Sequence, residues 1–204
     1  MVDLRQSDLY AHYQELRGWE VSEVFDKKGK VVQVFVKRMP MIKISVLKCQ
    51  RFERELDWSL FAEFKKKNRV IYTVLEPLGG SRKNYQREGY KVNKNSYLPT
   101  QTIVISLNKE KGRLWNDLSK DARKTISDSR VEIRKLDGEV ERNEFWERWN
   151  SESKIITPSW KSFQDLKESF GKNMWLMGAF IDEEMVAGTV VLIAERRAYY
   201  YYAW

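Results

Sequence analysis

Few residues of this sequence could supply nucleophilic or metal-binding chemistry. The chain contains one histidine, His12, and one cysteine, Cys49, which excludes a zinc cluster of Cys and His ligands, so no metal site is predicted. A Ser-His-Asp triad would have to use His12, and no Gly-x-Ser-x-Gly elbow supports one. A single cysteine also excludes an internal disulfide, which fits a reducing compartment.

The positive charge of the chain is concentrated in its first half. Residues 1–100 carry 20 lysines and arginines against 12 acidic residues, whereas residues 101–204 carry 17 of each. This asymmetry is compatible with a polyanionic partner such as RNA, a phosphorylated substrate or an anionic membrane surface. A sequence pI near 9.4 is also ordinary for a soluble protein, so the charge alone does not decide between these interpretations.

One pattern of predicted elements occurs twice. Residues 7–17 have the spacing of an amphipathic helix and lead into two strand-like runs joined by a polar turn, residues 19–39. Residues 159–171 repeat the helix, and residues 175–197 repeat the strand, turn and strand. A unit repeated at long range predicts two copies of one fold. We therefore predict two lobes, residues 1–96 and 97–204, the second of them incomplete at its C-terminus.

The remaining segments predict helices interleaved with strands, which is a mixed α/β fold class (α+β). In the first lobe a helix over residues 52–68 would place Phe52, Leu56, Leu60, Phe61 and Phe64 on one face. The apolar run of residues 69–77 is typical of a buried central strand. A strand over residues 41–49 precedes that helix, and a short helix around Tyr85 follows the central strand. The second lobe is predicted to contain helices at residues 114–118, 120–129 and 139–153 and a strand at residues 131–136.

The order of these elements resembles tandem GNAT-like acyltransferase lobes, and the motifs resemble the Fem-type aminoacyltransferases. Those enzymes build the interpeptide bridge of peptidoglycan from aminoacyl-tRNA. Each motif is short, and the resemblance rests on their order along nearly the whole chain. The motifs are Gln6-Ser7-x-x-Tyr10, Gly18-Trp19, LEPLGGS from Leu75, Arg87-Glu88-Gly89-Tyr90, YLPTQTIVISL from Tyr97, LSKDARKTISDSRVEIRKL from Leu118 and MVAGTVVLIAERRAYYYYAW from Met185.

The resemblance implies a set of site residues. The family's phosphate-binding lysine on the first helix corresponds to Gln14, and its acidic residue at the end of the central strand corresponds to Glu76. An arginine before the helix of the second lobe corresponds to Pro158, with Thr157 and Lys161 as the nearest polar candidates. An anion would be favoured there because the backbone N–H groups at a helix N-terminus are free. The alternatives to a substrate-binding role are that Gln14 is an exposed helix glutamine and that Lys161 is a solvated surface lysine.

The resemblance also implies the reaction. Aminoacyl transfer needs an amine that loses a proton and a carbonyl carbon held about 3–3.5 Å away. Glu76 is the candidate proton acceptor or amine-orienting group, unless it is a strand-end carboxylate that faces water. No cofactor is expected, because the aminoacyl ester of tRNA is already activated. The second substrate would be a lipid-linked or nucleotide-linked peptidoglycan precursor, in the cytoplasm and in peripheral contact with the inner face of the membrane.

Two other functions stay open at this stage. A CoA-dependent GNAT N-acyltransferase would carry a (Gln/Arg)-x-x-Gly-x-(Gly/Ala) turn that binds pyrophosphate. The corresponding segment, residues 75–80, lacks that spacing, and Pro77 removes a backbone donor. A non-catalytic, basic, RNA-binding lobe is the third possibility. The sequence itself shows neither an apolar signal region nor a run of 18 apolar residues.

Overall fold

The computed structural model describes residues 3–78, 82–93, 102–153 and 157–204. Within them the chain forms two separate four-stranded sheets with helices packed against them, which confirms the predicted mixed α/β class. We call the first sheet with its helices the first lobe and the second sheet with its helices the second lobe. The predicted division at residues 96 and 97 lies outside the described residues, as do parts of the LEPLGGS and YLPTQTIVISL motifs.

The first lobe begins with helix α1, Asp8–Leu16, after a 3₁₀ turn at Leu4–Gln6. Ser7 caps α1 by accepting a hydrogen bond from the Tyr10 N–H, and Gly18, at φ +74°, carries the chain out of the helix. The other elements are β1 (Glu20–Phe25), β2 (Val31–Met39), β3 (Ile44–Gln50), α2 (Trp58–Lys67), β4 (Val70–Glu76) and α3 (Arg82–Arg87).

The first sheet has the strand order β1-β2-β3-β4. Strands β1, β2 and β3 are antiparallel neighbours, and β4 runs parallel to β3 after the α2 crossover. Alternate residues of β2 and β3 face α2 and form an apolar core with Phe61. The opposite face of the same strands, which carries Phe35, lies towards α1.

Two predictions about the first lobe are wrong in detail. Helix α2 begins at Trp58 with Asp57 as its cap, so Phe52 and Leu56 are buried outside the helix. Leu56 instead forms an isolated bridge with Asp26, and Leu60 is exposed. Strand β4 is the last strand in the described order and is only half buried, whereas its apolar run predicted a buried central strand. Burial of one face of β4 is enough to explain why the residues of this strand are mostly apolar.

The second lobe has the strand order β5-β6-β7-β8, all antiparallel. Helix α7 leads into the β6–β7 hairpin, as α1 leads into β1–β2. Residues 102–108 have no regular secondary structure, and the apolar side chains there are exposed. The elements are α4 (Lys111–Asp117), α5 (Lys120–Asp128), β5 (Glu132–Lys135), α6 (Glu139–Glu152), α7 (Trp160–Phe170), β6 (Met174–Ile181), β7 (Glu184–Ala194) and β8 (Arg197–Ala203).

Helix α1 joins the two lobes because it packs against α7. Tyr10, Ala11 and Tyr13 belong to one apolar cluster with Phe163, Leu166 and the inner side chains of the second sheet. Two hydrogen bonds cross the same boundary: the Leu4 N–H donates to the Tyr199 hydroxyl at 3.1 Å, and the Ser169 hydroxyl donates to the Leu9 carbonyl. In the described part of the chain, no helix is both long and apolar enough to cross a membrane.

Candidate functional site

A cluster of polar side chains in the first lobe lies where β3 and β4 end together. These strands are parallel, so their C-terminal residues Gln50 and Glu76 are direct neighbours in the register. The Gln50 Nε2 donates a hydrogen bond to Glu76 Oε2 at 2.5 Å. Gln50 is only 8% exposed, and Gln6 Nε2 fixes its backbone by donating to its carbonyl oxygen at 2.7 Å. The predicted residue Glu76 is therefore anchored by an amide rather than directed freely into water.

The second polar atom of the Gln50 side chain lacks a partner. Gln50 Oε1 is buried, and within the described ranges no group donates to it. The orientation of the amide is fixed by Glu76, because a carboxylate accepts from the NH₂ group and cannot bond the carbonyl oxygen. A buried acceptor left unsatisfied costs about 1–3 kcal/mol. An N–H or O–H donor from a ligand would relieve this cost and would also meet the neighbouring carboxylate.

Lys48 lies two residues before Gln50 on the same face of β3, the face towards α1. Its Nζ donates to Gln14 Oε1 at 2.8 Å and lies 4.1 Å from the centroid of the Trp19 ring. The Phe35 ring, directly opposite on β2, is 5.5 Å away. The ammonium group is thus held between two aromatic faces and one amide oxygen.

This environment changes the acidity of Lys48. Burial lowers the pKa of Lys48 to about 8, because the charged form loses hydration. The cations Arg17, Lys37 and Arg5 lower it further, and the Glu76 carboxylate acts in the opposite direction. The protein therefore holds a lysine here that changes its charge close to neutral pH.

Gln14 reaches Lys48 from the buried side of α1. It is only 3% exposed, so the alternative of an exposed helix glutamine is wrong. Its backbone carbonyl accepts from the Trp19 N–H at 3.0 Å, and this bond holds Trp19 against the end of the helix. One residue thus positions both the amide oxygen and the indole that contact Lys48. Its role in binding substrate stays a prediction.

Tyrosines of the second lobe lie close to Tyr10 of α1, which packs on Phe35. A bulge between Val190 and Val191 places Tyr201 and Tyr202 side by side in β8, with their ring centroids 4.4 Å apart. Burial raises the pKa of Tyr10 and, more strongly, of Tyr201, and it raises the pKa of Tyr202 to about 12. All three hydroxyls are therefore neutral at physiological pH and act as hydrogen-bonding groups.

Thr157 and Lys161 lie apart from Lys48, at the junction of α6 and α7. The Thr157 hydroxyl donates to Asn150 Oδ1 at 2.7 Å, and Lys161 forms an ion pair with Asp165 at 2.8 Å. The Lys161 side chain is 77% exposed. Asp165 in turn acts electrostatically on Arg17 at the end of α1. The structure thus brings Gln14 into contact with Lys48 and Glu76 into contact with Gln50, and it gives Thr157 and Lys161 other partners.

Two surface cavities have volumes of about 260 and 200 Å³. The larger lies between α6 and α7, and it is lined by residues of both charges together with Trp160. The smaller lies beside β2, where Asp26 and Arg51 line it. The smaller cavity is also lined by Gln6, which donates to the Gln50 carbonyl oxygen, and by Gln33, whose buried Oε1 has no partner among the residues that the structure describes. We place the candidate site at Lys48, Gln50 and Glu76, where an unpartnered acceptor adjoins a carboxylate and a lysine whose pKa is lowered.

Sequence reasoning missed Lys48 and Gln50. One signal was present: in the strand ending at residue 50 they alternate with Leu47 and Cys49, so they had to share the face opposite the α2 core. Their pairing with Glu76 and Gln14 depends on the parallel register and on where α1 packs, and neither is visible in the sequence. Among the described residues, no group of three or more His, Cys, Asp or Glu side chains could hold a metal ion.

Comparison with known proteins relates the chain to solved structures and not to any sequence family. No protein-family model matches the sequence, and no curated protein matches it. The chain is similar to the crystal structure of FemX, with a TM-score of 0.72 and 13% sequence identity. The match covers 98% of this chain and 75% of that one. The two lobes, with the Lys48 site on the α1 face of the first sheet, therefore form a Fem-like fold.

Proposed function

We propose that this protein is an aminoacyltransferase that moves an amino acid from aminoacyl-tRNA to an amine of a peptidoglycan precursor. The observation that carries the proposal is the buried, unpartnered Gln50 Oε1 beside the half-buried Glu76 carboxylate, in a Fem-like fold. These atoms suit the N–H groups of a primary amine, which is the nucleophile of the reaction. Fold alone does not specify a reaction, so the proposal depends on this site.

The chemistry asks little of the protein beyond positioning and proton transfer. The amine nitrogen attacks the ester carbon, the C–N bond forms, and the ribose oxygen of tRNA leaves. Because the ester is activated, no covalent enzyme intermediate is needed, and orientation supplies much of the rate enhancement. In this proposal Glu76 and Gln50 together orient the amine, and Gln14 holds the Lys48 side chain in position through a hydrogen bond.

The charge distribution supports tRNA as the donor. All of the formal net charge of +8 resides in residues 1–100. Helix α2 ends in Lys65, Lys66 and Lys67, a basic run on the surface of the first lobe. Phosphate contacts of this kind make affinity fall steeply with salt. The acceptor would be nucleotide-linked or lipid-linked, and the second case would bring the enzyme to the inner face of the membrane.

The test is a transfer assay with radiolabelled aminoacyl-tRNA, prepared with a mixture of amino acids, and a muropeptide acceptor. We expect the wild type to form an amide product, and we expect Glu76→Gln to lower kcat/KM by about 10²-fold, the loss that follows when a reacting group is misplaced. Glu88→Gln, an exposed residue after α3, is the matched control and should keep full activity.

Two outcomes would contradict the proposal. Thermal stabilisation by CoA with none by tRNA would favour a CoA-dependent N-acyltransferase instead. Binding of tRNA that weakens with salt, without transfer to any acceptor, would favour a non-catalytic RNA-binding protein.

A further inference from the structure

We propose that Lys48 is the catalytic base that takes the proton from the attacking amine, while Glu76 and Gln50 Oε1 hold that amine in place. This inference rests on the proposed function and assigns the proton transfer, which the resemblance would give to Glu76, to a different residue. It stands on three features of the site: the enclosure of Lys48, the charges that face it, and its place beside the unpartnered acceptor.

The enclosure of Lys48 leaves room for a lone pair. A neutral lysine amine has two N–H groups and one acceptor position, whereas the ammonium ion has three donors and no acceptor. In the structure Nζ makes one hydrogen bond, to Gln14 Oε1, and the Trp19 and Phe35 rings flank it. The remaining directions of a neutral Nζ can therefore meet a proton on a ligand without breaking the bond to Gln14.

The charges around Lys48 favour its neutral form. Arg17 follows α1, Lys37 lies on β2 and Arg5 lies in the first 3₁₀ turn, and all three disfavour a further positive charge. Glu76 on β4 is the opposing carboxylate. Burial and these three cations bring the pKa of Lys48 to about 8. This value matches the requirement that a general base titrate near the working pH.

A carboxylate is a poor acceptor for this particular proton. Reference pKa values of carboxyl and alkylammonium groups differ by about six units, so the transfer to a carboxylate is strongly uphill. A lysine with a pKa near 8 reduces that gap to about two units. A carboxylate is well suited, however, to binding the ammonium group before it reacts. The two side chains thus divide the work: Glu76 binds the charged amine and Lys48 removes its proton.

The proposed reaction consists of a proton transfer followed by the acyl transfer. Neutral Lys48 accepts one proton from the substrate ammonium, and the free amine attacks the ester carbon. As the C–N bond forms and the C–O bond breaks, a second proton from the nitrogen passes to the leaving ribose oxygen. Lys48 then returns its proton to solvent. The products are an amide, the deacylated tRNA and one released proton.

The first experiment needs no catalytic activity. Native protein is acetylated briefly with an N-hydroxysuccinimide ester at a series of pH values, and modification at each lysine is measured by mass spectrometry. We expect Lys48 to react with a midpoint near pH 8, and the exposed Lys28 in the same sample is the control. A midpoint equal to that of Lys28 would overturn the proposal. Failure of Lys48 to react at any pH would also overturn it, because a substrate amine could not reach it.

The second experiment is the pH dependence of kcat/KM. The kcat/KM of the wild type should fall as the pH drops below an apparent pKa near 8. Lys48→Arg keeps the charge but does not deprotonate, so its kcat/KM should be about 10²-fold lower and should not show this fall at low pH, the acidic limb of the profile. Lys48→Met should behave likewise if the arginine does not fit, and Lys28→Arg should match the wild type. An active Lys48→Arg enzyme with an unchanged limb would refute the role of Lys48 alone. A wild type without transfer activity but with the low acetylation midpoint would refute the proposed function instead.

Discussion

The partly buried charge of Lys48 should make the stability of the protein depend on pH. Its pKa falls from 10.5 to about 8 on folding, so between these values the unfolded chain holds a proton that the folded chain has released. Stability rises with pH wherever the unfolded state binds more protons. The contribution of Lys48 is therefore unfavourable below pH 8, and the penalty fades as the pH rises towards 10.5.

The size of this effect follows from the shift. Each pKa unit corresponds to about 1.4 kcal/mol, so the full penalty is about 3 kcal/mol. Between pH 7 and pH 9.5 about 2 kcal/mol of it should be recovered. Lys48→Met removes the titration and keeps an unbranched side chain between Trp19 and Phe35. It also leaves Gln14 Oε1 without its donor, a cost of about 1–3 kcal/mol that does not change with pH in this range.

The assay is urea unfolding of wild type and Lys48→Met, followed by tryptophan fluorescence at pH 7 and pH 9.5. The difference between their unfolding free energies should shift by about 2 kcal/mol in favour of the wild type at the higher pH. Lys28→Met, which removes an exposed charge, should show no comparable shift. A constant difference between wild type and Lys48→Met would mean that Lys48 keeps its charge over this interval, and the electrostatic reasoning would be wrong.

Three further predictions concern core packing, helix capping and the reactivity of a buried thiol. Gly188→Ala should lower the unfolding free energy by about 1–3 kcal/mol in a thermal melt, because an added Cβ would lie 2.5 Å from a carbon of the buried Phe145 ring. Gly112→Ala, where the Cβ meets open space in a helix, is its control and should not destabilise. Asp57→Ala should cost about 1 kcal/mol and speed amide exchange in the first turn of α2, since Asp57 accepts from two N–H groups there. The Cys49 thiol, buried and with its pKa raised by burial, should not react with a disulfide reagent at pH 8 until urea is added.

Sequence patterns predicted most elements of this fold because most of them bury one periodic face. Helix α7 was predicted at residues 159–171 and is found at Trp160–Phe170, with Ser159 as its cap. The same reasoning failed for α2, where Phe52 and Leu56 had helical spacing but are buried by a loop and a bridge. Spacing predicts which side chains are buried more reliably than it predicts the backbone that buries them.

The candidate site was harder to predict because its contacts join distant parts of the chain. Glu76 was identified through family resemblance, but its partner Gln50 is fixed by the parallel register of β3 and β4. In a regular β8, alternation along the strand would turn only every second tyrosine inward. The bulge at Val190 and Val191 turns Tyr201 and Tyr202 towards the interior together, and a bulge has no simple sequence signature.

Helix α1 explains how the second lobe can influence a site built on the first. Tyr10 and Tyr13 pack on α7 and β8, while Gln14, one residue further along the same helix, holds Lys48. A helix is stiff along its axis, so a shift of α7 against α1 would move Gln14 and the attached Trp19 with it. Arg17, which follows the same helix, is one of the cations that lower the pKa of Lys48, so its position also depends on how α1 packs against α7. A ligand that binds both lobes would therefore act on the proposed base through packing as well as through its own charge.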